Sequence, residues 1–217
     1  MLTNMYSIGY IICMVVNTKG ESVSETILEK AKANNGVITS AEITAAGISR
    51  GHLKHLVAQG KLMQSERGVY TLPWVFDDAF FNLQTRYRKG IYSGTTALFL
   101  FDLTDRTPEK PEMTFPLNYN ISVLKSQNVL YKRTKDEWYI LGVTDTETPS
   151  GNTVRAYNIE RTLCELLRRG KNADIQIVTD AFKRYARRPD KDLRRLSEYA
   201  RHLRVEEKTR SYLEVLL

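Results

Sequence analysis

The segment from Ser49 to Arg67 carries side chains suited to reading an anionic polymer. No acidic residue occurs between Arg50 and Gln64, where Arg50, Lys54 and Lys61 are joined by His52, His55 and Gln59. A guanidinium can fork onto the O6 and N7 edge of guanine, and a lysine ammonium suits a phosphate oxygen. Leu53, Leu56 and Val57 recur at helical spacing, so the segment reads as a helix with an apolar inner stripe. That stripe turns Arg50, Lys54, His55 and Gln59 outward and leaves His52 near the boundary. Ser49, Arg50 and His52 then lie at the helix N-terminus, the end that reaches base edges in a helix-turn-helix. Arg67, at the tip of Glu66-Arg67-Gly68, is placed for a backbone or minor-groove contact. The expected DNA-binding set is Ser49, Arg50, His52, Lys54, His55, Lys61 and Arg67, set against the plainer reading of a solvated polar face.

A second cationic group falls near the C-terminus. Over 174–187, Ile175, Val178, Phe182 and Tyr185 line one helical face, with Lys183, Arg184, Arg187 and Arg188 opposite. Over 190–204, Leu193, Leu196, Ala200 and Leu203 form the seam, with Lys191, Arg194 and Arg195 opposite and Arg201 toward the edge. Such a stripe suits further DNA contacts or plain solvent exposure.

Catalysis finds little support. Asp190-x-Asp192 has the spacing of a magnesium-holding carboxylate pair, as in a nucleotidyltransferase. Such an enzyme also needs a Gly-Ser turn ahead of the pair, and no Gly-Ser dipeptide occurs. Asp190 follows Pro189, where a helix cap is the simpler account. Walker A, Gly-x-Ser-x-Gly and His-Glu-x-x-His patterns are absent. Three histidines (His52, His55, His202) supply a metal site poorly, and two cysteines (Cys13, Cys164) make no disulfide framework or zinc cluster. The expectation is no catalysis, no metal and no cofactor. Arg161 reads as a structural tie at a helix start, and Cys164 as a small buried hydrophobe.

These groups need elements to hold them. The chain has 217 residues, 42% hydrophobic and 26% charged, the composition of a globular protein with one or two domains. Its formal net charge of +7 is uneven: +2 over 18–73, −1 over 74–154 and +6 over 155–217. A basic balance points to an anionic partner. In 21–73 the pattern runs helix (capped by Ser24, to Asn34), short extended pair Val37-Ile38, short helix opened by a Thr39/Glu42 capping box, Gly47 turn and a third helix capped by Ser49. A hairpin of Leu62–Ser65 and Val69–Leu72 follows. That is the order of a winged helix-turn-helix. Residues 74–217 read as a second domain, mixed over 74–154 and helical over 155–217. Helices are expected at 77–88 and 94–101, and strands at 112–117, 121–124, 128–132 and 138–143. The helical end comprises 160–169, 174–187, 190–204 and 206–217, with Asp190 as the cap of the third. The fold class is α+β. Residues 1–20 read as an extension outside the functional chain, uncharged over its first 18 residues. Its apolar run Ile8–Val16 is too short to span a bilayer and lacks the marks of a secretory signal. No membrane role is expected, and the two cysteines fit a reducing cytoplasm.

The chain resembles the AbiEi family, the antitoxins of AbiE toxin–antitoxin systems, from about Glu25 to Leu217. The likeness rests on the helical unit that closes in Arg67-Gly68-Val69-Tyr70 and Pro73, similar to the family's G-x-Y hairpin. It also rests on the Gly94-Thr95-Thr96-Ala97-Leu98 helix start and on Glu160-Arg161-Thr162-Leu163 followed by paired leucines. Glu165 stands where the family usually has Asp. The resemblance implies a winged-helix repressor of its own operon, with double-stranded operator DNA, as inverted repeats, for a partner and room for self-association on it. It also implies a C-terminal antitoxin domain that counters a nucleotidyltransferase-like toxin in a type IV, abortive-infection system, without a stable complex. Under that reading Arg184, Arg187, Arg188, Lys191, Arg194 and Arg195 are the candidate antitoxin surface. The rival reading is a stand-alone winged-helix regulator whose C-terminal domain binds an effector or mediates oligomerisation.

Overall fold

The structure is a computed structural model that describes residues 22–124, 128–168 and 174–216; the proposed extension at 1–20 lies outside them. Two compact units meet in sequence between Val75 and Phe76.

The first unit runs α1 (Val23–Ala33), β1 (Val37–Thr39), α2 (Ser40–Ala45), α3 (Gly51–Ala58), β2 (Met63–Glu66) and β3 (Val69–Thr71). It is a winged helix: β3 lies between β1 and β2, antiparallel to both. Two capping boxes start the first two helices. Ser22, rather than Ser24, caps α1. Its Oγ accepts from the Glu25 N–H at 3.3 Å and its own N–H donates to the Glu25 carboxylate at 2.7 Å. Ser22 wins because Glu25 then sits at the third helical position and closes the box, whereas Ser24 would put Ile27 there. Thr39 and Glu42 repeat the arrangement at α2, as the sequence predicts. The core gathers Ile27, Ala31, Ile38, Ile43, Leu53, Leu56, Leu62, Tyr70 and Leu72.

The second unit runs α4 (Ala79–Arg86), β4 (Ile91–Tyr92), α5 (Gly94–Leu100), β5 (Glu112–Pro116), β6 (Leu130–Thr134), α6 (Asp136–Ile140), β7 (Val143–Glu147) and β8 (Thr153–Tyr157). It ends in four helices: α7 (Ile159–Arg168), α8 (Ile175–Arg187), α9 (Leu193–Leu203) and α10 (Glu206–Leu216). Five strands form one mixed sheet in the order β6-β5-β4-β8-β7. The β4–β8 and β5–β6 pairs are parallel; β4–β5 and β7–β8 are antiparallel. One core packs Tyr92, Met113, Phe115 and Ala156 of the sheet with Ala97 and Leu100 of α5. A second joins α7, α8 and α9 through Leu163, Leu166, Val178, Phe182, Tyr185, Leu196, Ala200 and Leu203.

Several sequence expectations change here. Residues 121–124 form a 3-10 turn instead of a strand. The expected strand 138–143 divides into α6 and the start of β7, because Asp136 and Glu137 fill the first turn of a short helix, where its dipole favours acids. β8 ends at Tyr157, so the helical region opens at Ile159. Asp192, not Asp190, caps α9, accepting the Arg195 N–H at 2.8 Å, while Asp190 is held by Arg188. Ile175 and Leu193, expected in the seams, are 66% and 37% exposed. Each is the first residue of its helix, past the end of the packed stripe.

Candidate nucleic-acid interface

Helix α3 is fixed from within. Leu53 and Leu56 are fully buried and Val57 half-buried against the same core. Burial of a leucine side chain is worth about 1.5–3 kcal/mol, so this face does not turn outward at low cost. Its rotation places Lys54 and His55 in solvent and leaves His52 half-buried. Arg50 occupies the N-cap with helical backbone angles and makes no cap hydrogen bond through its side chain. Ser49 assists the helix start, its Oγ accepting the Gly51 N–H at 3.3 Å. His55 and Gln59 share a 2.8 Å hydrogen bond, a turn apart. Lys61 follows the helix end, where its backbone N–H donates to the Leu56 carbonyl at 2.9 Å. No carboxylate of the described residues holds Lys54, Lys61 or Arg67.

The wing is the β2–β3 hairpin. Its register slips between Gln64 and Glu66, and Gly68 takes a φ of 85°. A side chain at Gly68 would be strained in that conformation and would also meet Ser40 Oγ at 2.8 Å. The Ser40 N–H donates to the Gly68 carbonyl at 2.8 Å, which ties the wing tip to the start of α2. Arg67 stands exposed beside that tie.

Residues 25–73, which contain all of these features, match the family model described as Transcriptional regulator, AbiEi antitoxin. This unit is similar to the AbiEi antitoxin family of regulators. The AbiEi match covers α1 through the wing and ends at Pro73. Across 82% of the chain and 70% of the other, the fold is similar to that of the RV2827C protein from Mycobacterium tuberculosis, at 16% identity and a TM-score of 0.50. No curated protein matches the sequence.

Outside the AbiEi-matched unit, the C-terminal stripe is largely engaged within its own unit. Arg184 grips Asp105 through both terminal nitrogens and donates to the Asp102 carbonyl at 3.3 Å. The Arg184 guanidinium holds the Asp105 carboxyl below its usual value. Arg188 makes a two-pronged pair with Asp190 at 2.8 Å, which lowers that carboxyl likewise, and donates to the Phe101 carbonyl at 3.3 Å. Lys191 donates to the Arg188 carbonyl at 3.2 Å, and Arg195 pairs with Asp192 at 3.5 Å. Arg187 and Arg194 are exposed, with no such acceptor among the described residues.

Helix α7 holds three buried charges. Arg161 is 3% exposed, pairs with Glu165 at 3.2 Å and lies 4.7 Å from the centre of the Tyr157 ring. Glu165 also pairs with Lys132 of β6. Burial pushes the Arg161 pKa down. Arg161 thus ties the helix start to the sheet, the structural role read from the sequence. Glu160 is buried too, and accepts from the Tyr185 hydroxyl at 3.2 Å and the Asp192 N–H at 3.4 Å. Cys164 is buried with its thiol pushed up to about 12 by burial.

The sequence reading missed Ser40 and Thr44 at the interface. Arg50 Nε donates to Thr44 Oγ1 at 2.9 Å across the turn between α2 and α3. No helical or strand period links positions six apart on either side of a Gly turn. A Thr on the last turn of α2 was the one available signal. Among the described residues no helix is long and apolar enough to cross a membrane.

Proposed function

We propose that this protein is a DNA-binding autorepressor and the antitoxin of a type IV pair. Helix α3 enters the major groove, Arg50 reads a base edge with Ser49 and His52 beside it, and Lys54, His55 and Lys61 meet phosphates. Arg67 on the wing follows the neighbouring backbone or minor groove. The operator is double-stranded, arranged as inverted repeats. The unit from Phe76 onward counters a nucleotidyltransferase-like toxin without a stable complex, using the outer face of α8 and α9. On that face Lys183, Arg187 and Arg194 are cations without an acceptor among the described residues, with Arg184, Arg188, Lys191 and Arg195 anchored around them. The protein works in the cytoplasm and carries out no catalysis.

The observation that carries this reading is the carboxylate-free outer face of α3, held rigid by Leu53 and Leu56 within the AbiEi-matched unit. Binding energy of this kind comes largely from released counterions and falls with salt. The test pairs gel shifts on the duplex upstream of the protein's own gene, against a scrambled duplex at two salt concentrations, with rescue of cells expressing the neighbouring nucleotidyltransferase-like protein. Equal binding to both duplexes rejects the operator, and failed rescue rejects the antitoxin role.

A second reading, a regulator that senses an effector, has one observation in its favour. An open apolar cavity of about 300 Å³ lies among α7, α8 and α10, lined by Leu166, Leu167, Ile175, Val178 and Tyr212. That is the lower end of small-molecule site volumes. A duplex affinity that shifts with cell-extract metabolites, with no toxin rescue, favours it.

A further inference from the structure

We propose that Thr44 is a positioning residue for base recognition, presenting Arg50 to the major groove in a fixed orientation. This rests on the reading of α3 as the DNA-contacting helix. The two residues face each other across the helix-turn-helix bend. α2 ends at Ala45, the Gly47 N–H donates to the Thr44 carbonyl at 3.0 Å, and the Ile48 N–H returns to the Ile43 carbonyl at 3.0 Å. This closed bend brings the Arg50 side chain back to Thr44.

The hydrogen-bond directions are set by chemistry. A guanidinium only donates, so Thr44 Oγ1 must accept from Arg50 Nε at 2.9 Å. The hydroxyl's own proton goes to the Ser40 carbonyl at 2.8 Å, which fixes the rotamer. Thr44 is therefore used in both directions, and its accepting lone pair points at Arg50. With Nε engaged, both terminal nitrogens of the guanidinium remain for a two-pronged contact with a guanine edge. The planar fork is strongly directional, so holding it before binding both aims it and reduces the side-chain freedom lost on binding. Both residues are exposed in the unbound protein, so the pair does not serve the core.

The test uses the full chain and a randomised 30-base-pair duplex pool, with base preferences read by sequencing bound and unbound fractions. Arg50→Ala should flatten the preference at one base-pair position by about tenfold to a hundredfold. Thr44→Val, which keeps the branched shape but cannot accept, should flatten the same position by about three- to tenfold, with preferences elsewhere and the salt slope unchanged. Thr44→Ser should restore it. The proposal is overturned if Thr44→Val keeps the wild-type preference where Arg50→Ala loses it, or weakens all sequences equally, as a loosened bend would. If Arg50→Ala changes no position, the base-reading role of Arg50 falls and the proposal with it. Circular dichroism of each variant checks that the helices persist.

Discussion

The two units differ in how far they engage their cations. The stretch 155–217 carries the larger excess, +6 against +2 for 18–73. Yet in the second unit Arg161, Arg184, Arg188 and Arg195 are each drawn to a carboxylate of the same unit. In the first unit Lys54, Lys61 and Arg67 have none among the described residues, and Arg50 is tied to a neutral hydroxyl that leaves its charge uncompensated. Net charge counts side chains, whereas a partner meets only those whose field is not already cancelled. The weakly basic unit therefore presents an uncompensated face on α3 and the wing, while the strongly basic one turns part of its charge to joining its own elements and leaves Lys183, Arg187 and Arg194 open.

The largest effect should come from breaking the buried pair of the second unit. Glu165→Ala leaves Arg161 buried without its carboxylate and should cost about 3–5 kcal/mol, seen as an earlier urea transition followed by Trp138 fluorescence in a Trp74→Phe background. A change below about 1 kcal/mol would mean that Arg161 finds solvent or another acceptor, and the contrast between the units would weaken. In the same core the Cys164 thiol, raised from 9.0 to about 12, should stay protonated and resist alkylation by iodoacetamide at pH 9 in the folded protein while reacting readily in urea. Because the folded state holds this proton more tightly, its contribution to stability is fully present below pH 9 and declines as pH rises toward 12.

On the open face, Arg50→Ala should cost about 1–3 kcal/mol on the operator and less on a scrambled duplex. Equal loss on both would make Arg50 a phosphate contact. Lys54→Ala should weaken all sequences alike and lower the salt slope by about one unit, measured by gel shift across a salt series. The smallest effect belongs to Arg187 and Arg194, two of the cations of α8 and α9 without acceptors among the described residues. Arg187→Ala and Arg194→Ala should each change stability by about 0.5 kcal/mol or less. The double variant should keep operator binding and lose toxin rescue; a loss of operator binding would give the second unit a share of the DNA-facing charge.

Local chemistry was legible in the sequence and closure at a distance was not. The Thr39/Glu42 box, the Glu66-Arg67-Gly68 hairpin and the Leu53, Leu56 stripe each lie within a few residues, so pattern and outcome coincide. The short apolar run around Trp138 is compatible with strand or helix, and only the acids ahead of it favour the helix. Strand β4 has two residues and owes its existence to β5 and β8 on either side, so no local period marks it. The Lys132–Glu165 and Arg184–Asp105 pairs join positions dozens of residues apart. Helical phase placed Arg184 opposite the seam, but could not show that the chain returns an aspartate to meet it. At the interface, the outward residues of α3 were found by that phase, while Thr44 depended on the bend.

The tie between Ser40 and Gly68 has a consequence for scale. Because the wing tip is bonded to the first residue of α2, and α2 and α3 share one core, the distance from Arg67 to the exposed face of α3 is set before any ligand arrives. On the proposed reading the unit works as a caliper with a fixed opening. Duplexes differ in groove width with sequence, being narrow in A-tracts and wider elsewhere. A jaw of constant span converts those widths into affinity at base pairs that no side chain touches.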